Sequence, residues 1–336
     1  MLTELNILKF YGILLVVLGH VVFTYSPMSI ITPSTPSPIL NSVKEVIYAF
    51  HMPLFIFASG CIFAWQLEVK KKSMTFVQLF KNKFKRLLIP FYVFGLLMVY
   101  PTMVLLGVRD PIHYLIDGFI IVLDPRHLWF VYALFLIFLV FFCLRKICIK
   151  LDIPIWAIVI VALLLYCFPI NMIYFQIKNV EQYLIWFTLG YNVNQMRYCS
   201  TLGYLFTIYR PVFKYVAIAV VCGIGFNIVM PGITPPSYLL KLFNAFIGIT
   251  VFYILSVNTM WIENTKLYQL IVPNSFGIYL FHSMIIYWLE FIAIPYEIPP
   301  ILLSLGVFAI SLTLSISLTI AVRNIGWGII IGEKSK

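Results

Sequence analysis

The stretch that decides the fold is LKFYGILLVVLGHV, residues 8–21. It is almost wholly apolar, yet it carries Lys9 near one end and His20 near the other. A helix of about 20 apolar residues is long enough to cross the ~30 Å hydrocarbon core of a membrane. The run is too long for a cleaved signal peptide and has no small-residue cleavage site. We therefore expect residues 5–25 to form a first membrane span with two ionisable side chains.

Similar apolar runs recur along the whole chain of 336 residues, of which 62% are hydrophobic and 10% charged. They do not alternate as barrel strands would. The expected fold class is an all-α polytopic membrane protein with about ten transmembrane helices in a single integral-membrane domain, residues 1–336. No internal repeat and no fused extracytoplasmic domain are expected. The predicted spans are 5–25, 43–65, 87–107, 128–147, 154–170, 181–196, 212–230, 238–258, 268–292 and 301–323.

Basic residues predict the orientation of these spans. A net charge of +11 would be compatible with nucleic-acid binding. The charges instead cluster in short loops between apolar runs, as membrane orientation requires, so no nucleic-acid partner is expected. The segment between spans two and three has seven basic residues between Lys70 and Arg86, whereas SPMSIITPSTPSPILNS, between spans one and two, has none. Alternate faces carry 18 and 5 basic residues. The richer face is predicted to be cytoplasmic, which places both termini inside.

The six cysteines show no CxxC and no paired spacing, and all lie in or beside apolar runs. A thiol in such a place behaves as a small hydrophobic side chain. Neither a metal site nor a disulfide framework is expected.

All five histidines fall in the predicted outer half of a span or outside it. Ionisable groups inside a membrane are costly and often mark a reaction site or a pathway. The alternative for His51 and His282 is a packed histidine bonded to a neighbouring helix, and His113 and His127 also suit ordinary interface positions. Glu290 either pairs with an outer histidine or is a solvated interface residue.

Lys9 and His20 share one helix face, because eleven residues at 100° each make about three turns. Their Cα atoms are ~16 Å apart along the axis. Lys9 alone would be expected to extend to the inner headgroups. Together, the two side chains can address the two ends of one long, thin ligand.

Several motifs resemble the acyltransferase-3 family of membrane acyltransferases. Lys9 and His20 match the family's first-span signature, a basic residue followed after ten others by His. Asn6 stands where an acidic residue is common in the family. The other matching stretches, in chain order, are AFHMPLFIFASG (49–60), RLLIPF (86–91), HLWFVYALF (127–135) and FGIYLFHSMII (276–286).

This resemblance implies an O-acyltransferase of the bacterial cell (inner) membrane, of the type that acetylates surface polysaccharides. It would move an acyl group, most often acetyl, from cytoplasmic acyl-CoA to a hydroxyl of a glycan or lipid-linked glycan, with membrane lipids around it and no metal. The expected catalytic residues are His20, His51 and His282, with His20 as general base or transient acyl carrier. Lys9 and Arg86 are expected to bind donor phosphates, and His127, Trp129 and Tyr279 to line the acceptor path.

Two other functions compete with the enzyme. An exporter of polysaccharide or lipid-linked sugar would be expected to have broken helices at matching positions of two halves. Pro53 and Pro90 interrupt early spans, but no later pair corresponds to them. A partner-binding subunit without chemistry would have no need of histidines inside the membrane.

Overall fold

The structure is a computed structural model that describes residues 3–33, 35–108, 110–199 and 237–333. All regular secondary structure in these ranges is helical. The α-helices, numbered α1 to α12 in chain order, are Thr3–Val22, Pro38–Ala64, Phe76–Lys83, Ile89–Phe94, Tyr100–Leu105, Pro111–Leu115, Trp129–Lys150, Ala157–Cys167, Ile177–Cys199, Ser237–Asn258, Lys266–Ala293 and Pro300–Asn324.

Within the described residues, seven helical segments are long and apolar enough to cross a membrane. They correspond to the predicted spans one to four and eight to ten. The fifth span, 154–170, coincides with α8, which has only 11 residues and is too short to cross a bilayer as an α-helix. The sixth, 181–196, lies within the longer but more polar α9. The seventh, 212–230, lies outside the described residues, so a total of ten spans stays a prediction.

The described residues group into two compact units. The first comprises residues 3–52 and 237–327, and contains α1, the first part of α2, α10, α11 and α12. Helix α11 packs along both α1 and α12. The α11–α12 approach is close because a Cβ on Gly277 would lie 2.2 Å from Oγ1 of Thr319. This unit positions the histidines of α1, α2 and α11.

The second unit comprises residues 53–199 and 328–333. Its core is a cluster of aromatic rings in which Phe63 and Phe141 both pack on Phe187. At one end of this cluster, Arg145 of α7 donates from Nη2 to Glu68 (2.7 Å) and from Nε to the Tyr191 hydroxyl (2.8 Å). The ion pair therefore links the segment after α2 to α7 and α9.

Two π-helical turns interrupt the long helical segment Phe76–Leu105. They are Phe84–Leu88 and Gly95–Val99, and a proline follows each within two residues: Pro90 and Pro101. Proline has no N–H to donate and its ring crowds the carbonyl four residues earlier. A wider π turn relieves that conflict without ending the helix.

Candidate active site

The imidazoles of His20 and His282 are in contact in the first unit. Their ring centroids are 4.8 Å apart and the rings meet edge to face at 88°. His282 is fully buried in α11 and His20 is half-buried in α1. Two histidines separated by 262 residues in sequence are thus brought together by the packing of α1 on α11.

His51 is the third histidine of this unit and is also buried. The Tyr48 ring lies 4.8 Å from the His51 ring and 6.1 Å from the His20 ring, centroid to centroid. Tyr48 therefore packs against both imidazoles. Tyr48 was not predicted from the sequence, although a residue three positions before His51 on a helix lies on the same face.

The three histidines hold their rings in the same way. In each, Nδ1 lies within hydrogen-bond distance of a backbone carbonyl one turn earlier: 2.9 Å to Val16 O for His20, 2.8 Å to Ile47 O for His51 and 3.0 Å to Ile278 O for His282. A carbonyl oxygen only accepts hydrogen bonds, so Nδ1 must carry the proton. In the neutral ring the basic lone pair is then on Nε2, the atom available for proton transfer.

Lys9 and His20 lie on one uninterrupted helix, as expected, because α1 has no break between Thr3 and Val22. Ile13 and Val16, which occupy the same face between them, are both buried. This face of α1 is therefore covered by protein. Lys9 itself is half-buried.

Tyr279, which is predicted to line the acceptor path, lies beside one of the three predicted catalytic histidines. Its buried ring lies 5.9 Å from that of His282, one turn along α11. No third His, Cys, Asp or Glu joins His20 and His282 in a metal-binding group among the described residues.

Arg86, His127 and Trp129 belong to the second unit. Arg86 is exposed within the π turn Phe84–Leu88. His127 is buried in a 3₁₀ turn at the start of α7, and the Trp129 ring packs 5.1 Å from that of Tyr183. All three remain predictions as ligand-binding residues.

Two loops near the start of α7 have unusual backbone conformations. Val122, Arg126, Phe175 and Gln176 all have positive φ, a conformation that side chains other than Gly, Asn and Asp seldom adopt. The loops are joined by bonds from Phe175 N to Ile121 O (2.8 Å) and from Gln176 Nε2 to Val122 O (2.6 Å). Strain of this kind concentrates where a structure holds functional groups in place.

His113 lies apart from the buried histidines. Its side chain is exposed at the start of α6 and its Nδ1 is 2.9 Å from Oδ1 of Asp110, the N-cap residue. Hydrogen bonds from the His113 backbone and side chain lower the pKa of the Asp110 carboxyl. This is an ordinary helix cap with a surface ion pair.

The burial of Glu290 contradicts one of the two interpretations made from the sequence. Glu290 is only 5% exposed, so its interpretation as a solvated interface residue is wrong. It lies near the Thr24 hydroxyl at the end of α1 that carries His20.

Residues 2–320 match the acyltransferase-3 family, described as an acyltransferase domain. The chain belongs to the acyltransferase-3 family. Together with its apolar helices, this makes it a multi-pass membrane acyltransferase. Searches of curated proteins and of solved structures gave no match.

The geometry of the first unit suits the chemistry of this acyltransferase. Acyl transfer to a hydroxyl needs a base that removes the hydroxyl proton and a donor that stabilises negative charge on the carbonyl oxygen. An imidazole performs the first task when neutral and the second when protonated. His20 and His282 present two imidazoles side by side in a buried setting, where such interactions are stronger than in water.

Proposed function

We propose that this membrane acyltransferase moves an acetyl group from cytoplasmic acyl-CoA to a hydroxyl of a cell-surface glycan, and that it lies in the inner membrane of a bacterium. The observation that carries the proposal is the edge-to-face pair of the half-buried His20 and the buried His282, in a chain of an acyltransferase family. All three rings direct Nδ1 to a carbonyl of their own helix, which leaves Nε2 as the basic atom of each neutral ring.

In the proposed step, the acceptor oxygen attacks the thioester carbonyl carbon as its proton passes to Nε2 of His20. The carbon–sulfur bond breaks, the departing thiolate takes this proton, and the products are an ester and a free thiol. His282 and His51 orient His20 and stabilise the oxyanion. In a two-step variant, Nε2 of His20 carries the acyl group, the thiolate leaves with one proton, and the hydroxyl later returns a proton to the ring.

The donor would bind with its phosphates near Lys9 and its thioester near His20. These residues are ~16 Å apart along the helix, a separation suited to an extended molecule with a polyanionic head. The exposed guanidinium of Arg86 is accessible to a soluble polyanion and can bind phosphate with two parallel hydrogen bonds. This arrangement requires the Lys9 end of α1 to face the cytoplasm, as the distribution of basic residues predicts.

The proposal is tested with purified protein in detergent and radiolabelled acetyl-CoA, by measuring release of free thiol and label on polysaccharide from a strain that lacks the gene. We expect His20→Ala to lower both at least a hundredfold, since general-base catalysis contributes roughly 10²–10⁴-fold. His113→Ala is the matched control, because this histidine is exposed and pairs with Asp110 at a helix cap outside the histidine cluster. Normal turnover by His20→Ala would overturn the mechanism. No turnover by the wild-type protein, with sugar transport instead, would favour the exporter.

A further inference from the structure

A cavity adjoins the end of α1 that carries His20. Among its lining residues are Thr24, Tyr25, Thr35, Glu290 and Ala293. Thr24 and Tyr25 belong to the 3₁₀ turn that extends α1, and Ala293 is the last residue of α11. The enclosed part has room for one group of about the size of a water molecule, such as a hydroxyl.

Glu290 is the chemically unusual residue of this lining. A buried carboxyl needs hydrogen-bond donors or a cation, because it has lost its hydration. Among the described residues no cation forms an ion pair with it. The buried Lys44 nearby in the unit pairs with Glu45 instead. The Thr24 hydroxyl is one neighbouring protein group, and a carboxyl group has the capacity for several hydrogen bonds.

The cavity lies beyond the two imidazoles, at the ends of the same two helices. Thr24 follows His20 by four residues, or ~6 Å along the helix axis, and Glu290 follows His282 by eight residues, or ~12 Å. Tyr48 connects the two regions, because its ring packs near His20 and its phenol is close enough to Glu290 for electrostatic interaction. A molecule bound by one hydroxyl in the cavity would therefore have to span ~6–12 Å to bring another hydroxyl to Nε2 of His20.

We propose that Glu290 and Thr24 form the acceptor subsite of this enzyme, which binds a hydroxyl-rich acceptor through a second hydroxyl, ~6–12 Å from the one that is acylated. The inference rests on the proposed function. A carboxylate with a neighbouring hydroxyl and an aromatic ring suits a sugar, which offers several donors on one face and C–H groups for contact with Tyr25. The subsite selects acceptors that have a second hydroxyl at this distance from the first, as the far side of a sugar or a neighbouring sugar unit provides.

The test compares three variants in the assay with polysaccharide from the strain that lacks the gene. Glu290→Gln keeps the size of the side chain but replaces one acceptor oxygen by a donor, and Ala293→Leu fills the cavity without changing any charge. Glu297→Gln is the control, because Glu297 is exposed just beyond the same end of α11. Acetyl transfer to the polysaccharide and acetyl-CoA hydrolysis without it are measured in parallel, with thermal stability in detergent.

We expect Glu290→Gln and Ala293→Leu to raise the KM for polysaccharide at least tenfold, with a smaller effect on hydrolysis, and Glu297→Gln to match the wild type. Equal losses of transfer and hydrolysis at normal thermal stability would place Glu290 in the histidine chemistry and overturn the subsite. Unchanged transfer in Glu290→Gln would also overturn it. Failure of the proposed function looks different, because the wild-type protein itself would then leave the polysaccharide unlabelled.

Discussion

At the scale of single residues, the site depends on how each imidazole is fixed. The carbonyl one turn earlier fixes the proton on Nδ1 in His20, His51 and His282, so helix geometry itself orients Nε2. Contacts between aromatic rings then set the distances between these side chains. Tyr48 stacks on Phe23 at 5.7 Å and packs against His51 and His20. Tyr48 is therefore a positioning residue for the proposed base.

Replacing Tyr48 tests this positioning role. Tyr48→Phe keeps the ring contacts, so we expect at least half of the wild-type kcat. Tyr48→Ala removes them and should lower kcat at least tenfold with little change in the KM for acetyl-CoA, because the donor phosphates are proposed to bind elsewhere. Tyr296→Ala, at a ring that is 71% exposed, is the control. If Tyr48→Phe loses as much activity as Tyr48→Ala, the hydroxyl and not the ring is what matters.

The sequence could predict part of this site and not the rest. His20, His51 and His282 could be found because ionisable residues are rare in apolar spans. Glu290 was visible for the same reason, but its burial depends on the packing of α1 against α11, which no local pattern specifies. The strained loops could not be predicted, because Val122 and Phe175 are residue types that seldom adopt positive φ.

At the scale of helices, apolar length predicted seven membrane-crossing segments that the structure also has. The difference at the fifth span has a local cause. Pro154 precedes α8 and Pro169 follows it, and proline disfavours helix in the residue before it. Apolar composition extends past both prolines, so hydropathy alone predicted a longer span than the 11-residue helix Ala157–Cys167.

Helices α2 and α9 cross at two glycines. A Cβ on Gly60 would lie 2.1 Å from Phe187 O, and a Cβ on Gly190 would lie 2.1 Å from Phe57 O. Backbone carbonyls cannot move aside as flexible side chains do. Small residues at such crossings are what lets membrane helices approach closely. The two contacts are reciprocal, so each glycine is needed for the same crossing.

We expect Gly60→Ala and Gly190→Ala each to destabilise the protein by about 1–3 kcal/mol, the usual cost of overpacking. Gly306→Ala is the matched control, because nothing lies within 4 Å of a Cβ built there and alanine favours helix over glycine. Thermal melting in detergent measures all three. A normal melting temperature for Gly60→Ala would contradict the close crossing.

At the scale of the whole molecule, the family match extends over residues of both units, and the distribution of charge predicts which ends face the cytoplasm. Orientation matters to the mechanism, because the proposed donor is cytoplasmic and the proposed acceptor is outside. With the predicted topology, Lys9 is near the cytoplasmic face and the cavity beside Glu290 is near the outer face. With the reverse topology, the same residues would meet the wrong substrates.

Single cysteines in a background without the six native ones test the topology. Pro36 and Ser73 are both exposed, in the segments before and after the long helix that begins at Pro38. In intact cells, a membrane-impermeant maleimide should label Pro36→Cys and leave Ser73→Cys unlabelled until the membrane is permeabilised. Two positions on either side of one span must give opposite results, so each serves as the other's control. The reverse pattern would place the cavity beside Glu290 on the cytoplasmic side, and the acceptor would then have to be a cytoplasmic molecule.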